Sequence, residues 1–144
     1  MSASRKPNII LIMADQLTPF MTGVYGNREV QTPNLDCLFR EGVRFDAAYT
    51  PVPLCTPARA ALMTGKYASR LGCWDNASPF SSEEPTIAHY CTLSGYETVL
   101  SGKMHFIGPD QLHGFERRLT TDFYPSSFNW LPERDPETSQ VIGG

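Results

Sequence analysis

The stretch that decides the fold reads NIILIMADQ at residues 8–16, an apolar run that ends in an acid and an amide. Continuous rather than alternating apolarity is typical of a strand covered on both faces, as in parallel sheets. Asp15 follows this predicted strand directly. Because ligands of open α/β sheets bind beyond the carboxyl ends of the strands, Asp15 is the first candidate for a functional site.

Further elements follow along the chain in an alternating order. Residues 32–42, TPNLDCLFREG, predict a helix with Thr as N-cap, Pro in the first turn and Gly at the end. Residues 43–49 predict a second strand, residues 57–63 and 86–93 predict helices, and residues 96–100 predict a third strand. This order predicts an α/β fold with a largely parallel central sheet flanked by helices.

Composition excludes several classes of function. The 144 residues carry a net charge of −3, and no basic cluster is longer than Arg117-Arg118, so no nucleic-acid partner is expected. The apolar run at residues 9–14 is too short for a membrane span or a signal peptide, which predicts no membrane partner and a cytoplasmic location. The four cysteines lack the close pairs of zinc sites. No pattern indicates an oligomeric state.

Chemically capable side chains recur after the predicted strands. Cys55 follows the Pro-rich turn after the second strand, at or just before a helix N-terminus, and Lys103 and His105 follow the third. Together with Asp15 they suit an oxygenated anion held near a metal, and a carboxylate beside the Gln16 amide favours calcium or magnesium over zinc. The alternatives are a loop-capping aspartate, a buried structural cysteine, a solvated lysine and a histidine packed in the loop.

The frame Cys55-Thr56-Pro57-Ala58-Arg59 resembles the sulfatase signature, Cys-x-Pro-x-Arg, and the match extends over residues 53–65. The resemblance also includes residues 7–16, 32–35 and 95–103. Residues 71–77 and 101–115 are similar to the choline-sulfatase branch of that family. The resemblance runs from about residue 7 to Trp130 and implies a sulfatase, alkaline-phosphatase-like fold.

In that family the signature cysteine is oxidised by a maturation enzyme to formylglycine, whose hydrate attacks sulfur and later expels sulfate. The resemblance therefore implies that Cys55 supplies the formylglycine nucleophile. It also implies a divalent metal bound by Asp15 and by the modified Cys55. Calcium is the expected ion, with magnesium and manganese as alternatives.

The resemblance further assigns cationic and polar groups. Arg59 would act near the nucleophile and the metal, although it could instead be a surface helix arginine. Lys103 and His105 would bind the sulfuryl oxygens, because residues two apart in an extended segment leave on one face. Asn76 would donate an amide hydrogen bond to sulfate, although Asn in a loop is usually a turn former.

The domain predicted by this resemblance is incomplete. We expect a disordered lead at residues 1–6, the N-terminal part of a sulfatase catalytic domain at residues 7–130, and an irregular tail at residues 131–144. The family's later metal ligands are not found in this sequence, so catalysis by these 144 residues alone is not expected. The implied activity is sulfuric ester hydrolysis on a small sulfate ester such as choline sulfate. The alternatives are a phosphonate or phosphate ester hydrolase of the same superfamily and a non-catalytic remnant with unmodified Cys55.

Overall fold

The computed structural model describes residues 6–122 and the backbone of residues 133–134 and 141–143. The chain forms two compact units, Met1–Ala48 and Tyr49–Gly144. Apart from Lys6, the lead predicted to be disordered lies outside the described residues. Within the described part, no helix has the length and apolarity needed to cross a membrane.

The first unit is organised around one helix, α1, at Pro33–Glu41. It begins after Thr32 and ends at Gly42, as predicted from the sequence. Asp36 ties the helix to the short 3-10 turn Gly23–Tyr25, because its carboxylate accepts the Val24 N–H at 3.0 Å. A Cβ atom at Gly23 would lie 2.7 Å from that carboxylate, so glycine permits the close approach.

The structure assigns no strand to residues 8–14 or to residues 43–49, so both strand predictions are wrong for this structure. Their apolar side chains are exposed; for example, Ile10 and Ile12 are 82% and 85% accessible. A strand needs a hydrogen-bonded neighbour, and among the described residues no segment forms a strand pair with either stretch. High β-propensity alone is therefore not enough for either segment to form a strand.

The second unit contains three helices: α2 at Cys55–Thr64, α3 at Ala68–Leu71 and α4 at Ile87–Leu93. α2 is rich in alanine and ends at Gly65, whose φ of 69° lies in the left-handed region that favours glycine. α4 begins after Thr86, as its sequence predicts, and the His89 ring accepts the Thr86 N–H at 3.1 Å. Local capping residues thus set the helix boundaries.

A short parallel pair supports the predicted sheet type. β1 at Val99–Leu100 lies beside β2 at Arg117–Arg118, with Val99 opposite Arg117. β1 falls inside the strand predicted at residues 96–100, whereas β2 is covered by none of the predicted elements. A two-residue strand has no periodic pattern of its own, and its pairing depends on a partner 18 positions away in the chain.

The core of the second unit joins α2 and α4 to the segment after β1. It is made of small and apolar side chains: Ala60, Met63, Cys73, Phe80, Ala88, Leu100, Met104 and Phe106. Met104 and Phe106 flank His105, so this packing fixes the segment that carries a predicted site residue. Burial also raises the pKa of the Cys73 thiol, which keeps it in the neutral form.

The tail at residues 131–144 was predicted to be irregular, but its described residues form two short strands. β3 at Glu133–Arg134 pairs with β4 at Val141–Gly143 in an antiparallel ladder. Val141 and Ile142 are β-branched residues, which favour extended backbone. The remaining residues of the predicted tail lie outside the described part of the chain.

Candidate active site

Cys55 is the first residue of α2, as the sequence predicts, and its side chain is half-buried. Leu54 precedes it in extended conformation and accepts the Ala58 N–H at 3.0 Å, which closes the first helical turn. Pro57 lacks a backbone N–H, and it lies in the opening turn, where such a group has no helical partner. The signature thus places Cys55 where the helix N–H groups begin.

Asn76 caps this helix. Its side-chain oxygen accepts the Thr56 N–H at 3.1 Å, and the Thr56 hydroxyl lies 3.4 Å from the Asn76 carbonyl oxygen. The amide oxygen is therefore committed to α2, which leaves the amide nitrogen as the group with which Asn76 could donate to an anion. The structure brings Asn76 beside the start of the signature helix, and its role toward sulfate stays a prediction.

Thr56 is a residue that sequence reasoning missed. It is 2% exposed, and its hydroxyl also lies 3.4 Å from the carbonyl oxygen of His105. One side chain therefore joins the start of α2 to the two loops that carry Asn76 and His105. Thr56 lies within the signature, but it occupies a variable position there, so the motif gave no reason to select it.

Lys103 is the cation that approaches Cys55. Its Nζ lies 3.6 Å from the Cys55 Sγ. Arg59, one turn further along α2, is 6% exposed and donates from Nη1 to the Lys103 carbonyl oxygen at 2.8 Å. The structure therefore brings Cys55, Arg59 and Lys103 together, as predicted, and excludes the reading of Arg59 as a surface residue.

His105 is buried at 1% exposure, and its backbone has a φ of 56°. Lys103 and His105 do not belong to a strand, and the left-handed conformation of His105 interrupts the extended segment expected from the sequence, so their shared approach to the sulfuryl oxygens stays a prediction. Left-handed backbone is unfavourable for a residue with a Cβ atom, so surrounding contacts must hold it. Packing by the flanking Met104 and Phe106 is one such contact.

Asp122 is a second residue that the sequence did not indicate. Its Oδ2 accepts the backbone N–H groups of Met104 at 2.9 Å and His105 at 2.6 Å. The same oxygen lies 2.8 Å from Arg118 Nη2, and these two side chains are 3% and 10% exposed. A buried carboxylate with this set of donors is satisfied as an anion.

The predicted metal ligand Asp15 lies in the first unit and is exposed. Residues 6–122 contain no group of three or more His, Cys, Asp or Glu side chains arranged to hold a metal ion. A carboxylate is a suitable ligand for a hard cation. Asp15 thus offers one oxygen ligand of the kind that such a cation prefers, and its role toward a metal stays a prediction.

A scan against protein-family models matches the chain to the model named Sulfatase over residues 7–139. The chain belongs to the sulfatase family. A choline-sulfatase of Rhizobium meliloti is 51% identical over 128 residues, which are 89% of this chain and 25% of that protein. The chain therefore spans about a quarter of the length of that relative.

Solved structures give the same family and confirm the predicted α/β fold class. A protein in complex with its substrate D-glucosamine-2-N,6-O-disulfate superposes with a TM-score of 0.74 at 38% identity, over 79% of this chain and 23% of its own. A phosphonate monoester hydrolase of Agrobacterium radiobacter superposes with a TM-score of 0.69 at 29% identity, over 78% of this chain and 25% of its own. The sulfatase fold is thus shared with a hydrolase of another ester class.

Proposed function

We propose that this chain supplies the nucleophile-bearing part of a formylglycine-dependent sulfuric ester hydrolase that acts on a small alkyl sulfate such as choline sulfate. One observation carries the proposal: Cys55 begins α2 within the sulfatase signature, with Lys103 Nζ 3.6 Å from its sulfur. The similarity to a choline-sulfatase supports the choice of substrate.

Some residues of the chain would supply positive charge at the site, and others hold its backbone and α2 in place. Lys103 provides a positive charge beside the nucleophile, where it would stabilise the negative charge that develops on the sulfuryl oxygens. Arg59 holds the Lys103 backbone through its carbonyl oxygen. Asn76 caps α2 through its oxygen and would donate from its nitrogen to the sulfate group. His105 would be the second sulfate-binding side chain.

The proposal adds a modification and a cation to these residues. Conversion of Cys55 by a formylglycine-generating maturation enzyme would replace the thiol by an aldehyde, whose hydrate supplies a hydroxyl nucleophile. A divalent cation, calcium in preference to magnesium or manganese, would be bound by Asp15 together with the modified Cys55. The proposal includes the cytoplasmic location expected from the sequence and specifies no oligomeric state.

The second candidate is a phosphonate or phosphate ester hydrolase of the same superfamily. The similarity to a phosphonate monoester hydrolase favours this alternative. Sulfuryl and phosphoryl groups are both tetrahedral oxyanions, so a cationic site beside a nucleophile suits either. A non-catalytic remnant with unmodified Cys55 is the third outcome.

The test uses the whole protein, produced together with a formylglycine-generating enzyme. Mass spectrometry of the tryptic peptide at residues 45–59 should show the mass loss of thiol-to-aldehyde conversion at Cys55. Values of kcat/KM for choline sulfate, an aryl sulfate and a phosphonate ester should be highest for choline sulfate, and Cys55→Ala should abolish turnover.

Each contrary result selects an alternative. Highest kcat/KM on the phosphonate ester would assign the protein to the second class. An unconverted Cys55 in protein made beside a competent maturation enzyme would remove the formylglycine mechanism.

A further inference from the structure

The parallel pairing of β1 with β2 continues beyond the strands in an altered form. After Leu119 donates its N–H to the Leu100 carbonyl oxygen at 2.9 Å, side chains take over as acceptors. The Thr120 hydroxyl accepts the Gly102 N–H at 2.7 Å, and Asp122 accepts the N–H groups of Met104 and His105. The segment after β2 thus binds the site segment without forming a strand.

The peptide group between Lys103 and Met104 is held on both sides. Its carbonyl oxygen accepts Arg59 Nη1 at 2.8 Å, and its N–H donates to Asp122 Oδ2 at 2.9 Å. Arg59 belongs to the signature helix, and Asp122 lies beyond β2. Since one peptide plane is bound by two charged side chains, the direction in which the Lys103 side chain leaves the backbone is fixed. The Nζ of this side chain lies 3.6 Å from the Cys55 Sγ.

The same carboxylate stabilises an unfavourable backbone conformation. His105 has a φ of 56° and is almost completely buried, and its N–H reaches Asp122 Oδ2 at 2.6 Å. Without that acceptor, the buried N–H would lose its partner while the backbone kept its strain. Asp122 therefore holds both site residues of the segment through one oxygen.

Arg118 in turn orients Asp122. Its Nη2 lies 2.8 Å from the carboxylate, while Nη1 donates to the Gln111 carbonyl oxygen at 2.9 Å and Nε donates to the Thr120 carbonyl oxygen at 3.0 Å. Gln111 extends the network, because its Nε2 donates to the carbonyl oxygens of Phe106 and Gly108. The guanidinium thus joins the loop between His105 and β2, through Gln111, to the segment after β2, through Thr120 and Asp122.

We propose that Asp122 and Arg118 are positioning residues that fix the Lys103-Met104-His105 backbone at the site and so set the rate of sulfuryl transfer. The kinetic half of this proposal rests on the proposed function, whereas the structural half does not. The neighbouring pair of Arg117 and Glu97 has the same chemistry at 2.9 Å, but its side chains are 60% and 65% exposed. Arg117→Ala is therefore the matched control for Arg118→Ala.

The structural half is tested by amide hydrogen exchange in the whole protein, resolved to residues 102–106. Asp122→Ala should speed exchange at Met104 and His105 by about tenfold, the order expected for loss of a charge-assisted hydrogen bond, and Arg118→Ala should act in the same direction. Asp122→Asn keeps an oxygen acceptor of equal size but loses the charge and the ion pair with Arg118, so it should speed exchange in the same direction by a smaller factor, and it serves if the alanine variant fails to fold. Arg117→Ala should leave this segment unchanged.

Unchanged exchange at residues 104 and 105 in the Asp122 variants would overturn the proposal, as would a uniform increase over α2 and α4.

The kinetic half is tested by a double-variant cycle with Lys103→Ala, each protein corrected for its formylglycine content. Asp122→Asn should lower kcat about 10- to 100-fold in the parent protein, because misplacing a catalytic group by about 1 Å has effects of this size. In the Lys103→Ala background the further loss should be under about threefold, since the group being positioned is gone. An equal loss in both backgrounds would mean that Asp122 is only structural. If the parent protein turns over no ester, the proposed function fails, and hydrogen exchange alone decides whether Asp122 and Arg118 fix this segment.

Discussion

His113 is a buried imidazole in an apolar setting. Its ring stacks on Phe80 at a centroid distance of 4.2 Å and meets Phe106 edge-on at 4.5 Å. Among the described residues neither ring nitrogen has a hydrogen-bond partner, and the nearest carboxylate oxygen, Asp110 Oδ2, lies 3.6 Å from Nδ1. Burial lowers the pKa of His113 below the ordinary 6.5, outweighing the opposite effect of Asp110.

This arrangement predicts a pH dependence of stability. Below about pH 6.5 the unfolded chain binds a proton that the folded chain does not, so the free energy of unfolding should decrease as the pH falls toward the lowered folded-state pKa. The slope should be at most about 1.4 kcal/mol per pH unit. His113→Phe preserves the stacking and removes the titration, so its urea midpoint should vary less between pH 7.5 and 5. Equal slopes for the two proteins would contradict the prediction.

The sequence indicated the site residues that the signature or the ends of predicted strands mark. Cys55, Arg59 and Lys103 were found in this way, and the structure brings them together. Thr56 and Asp122 were missed because they act by binding backbone groups 49 and 17 or 18 positions away. Such contacts depend on the tertiary fold and leave no spacing pattern in the chain.

At the level of secondary structure, helices could be predicted and strands largely could not. α1 and α4 begin after threonines, and α1 and α2 end at glycines, which are local signals. β2 and residues 8–14 show the opposite case, since a strand exists only where another segment forms a ladder with it. The parallel pairing of β1 with β2 agrees with the sheet type predicted from the order of elements, although β2 itself was not predicted.

Substitutions of Asn76 can separate its role in capping α2 from its predicted role in binding sulfate. Asn76→Asp keeps an oxygen that can accept the Thr56 N–H, and a negative charge at a helix N-terminus is favourable, so stability should be retained. The substitution also removes the amide donor and adds a charge that repels sulfate. We expect kcat/KM on a sulfate ester to fall at least about tenfold while the melting temperature holds.

Asn76→Ala is the companion variant, because it removes both the cap and the donor. It should cost about 1 kcal/mol of stability in addition to the loss of activity. Full activity in Asn76→Asp would show that the side chain serves the helix alone.

For the molecule as a whole, the most exposed apolar run among the described residues is Ile9–Ile12, with accessibilities from 65% to 85%. Contiguous exposed apolar surface promotes association. The 144-residue chain produced alone should therefore self-associate in sedimentation velocity, and Ile10→Lys combined with Ile12→Lys should reduce this. Leu93→Lys changes an equally exposed apolar residue of α4 and should have little effect. A monomeric parent chain would refute the prediction.

The contacts of Thr56 also determine when the start of α2 can reach its final packing during synthesis. Its hydroxyl bonds to a carbonyl group 49 residues further along the chain. At about 5–20 residues per second, a ribosome needs roughly 2.5 to 10 seconds to make that length. Cys55 therefore emerges seconds before the residues that enclose it, and this interval is the period in which the proposed maturation enzyme would meet an unfolded peptide.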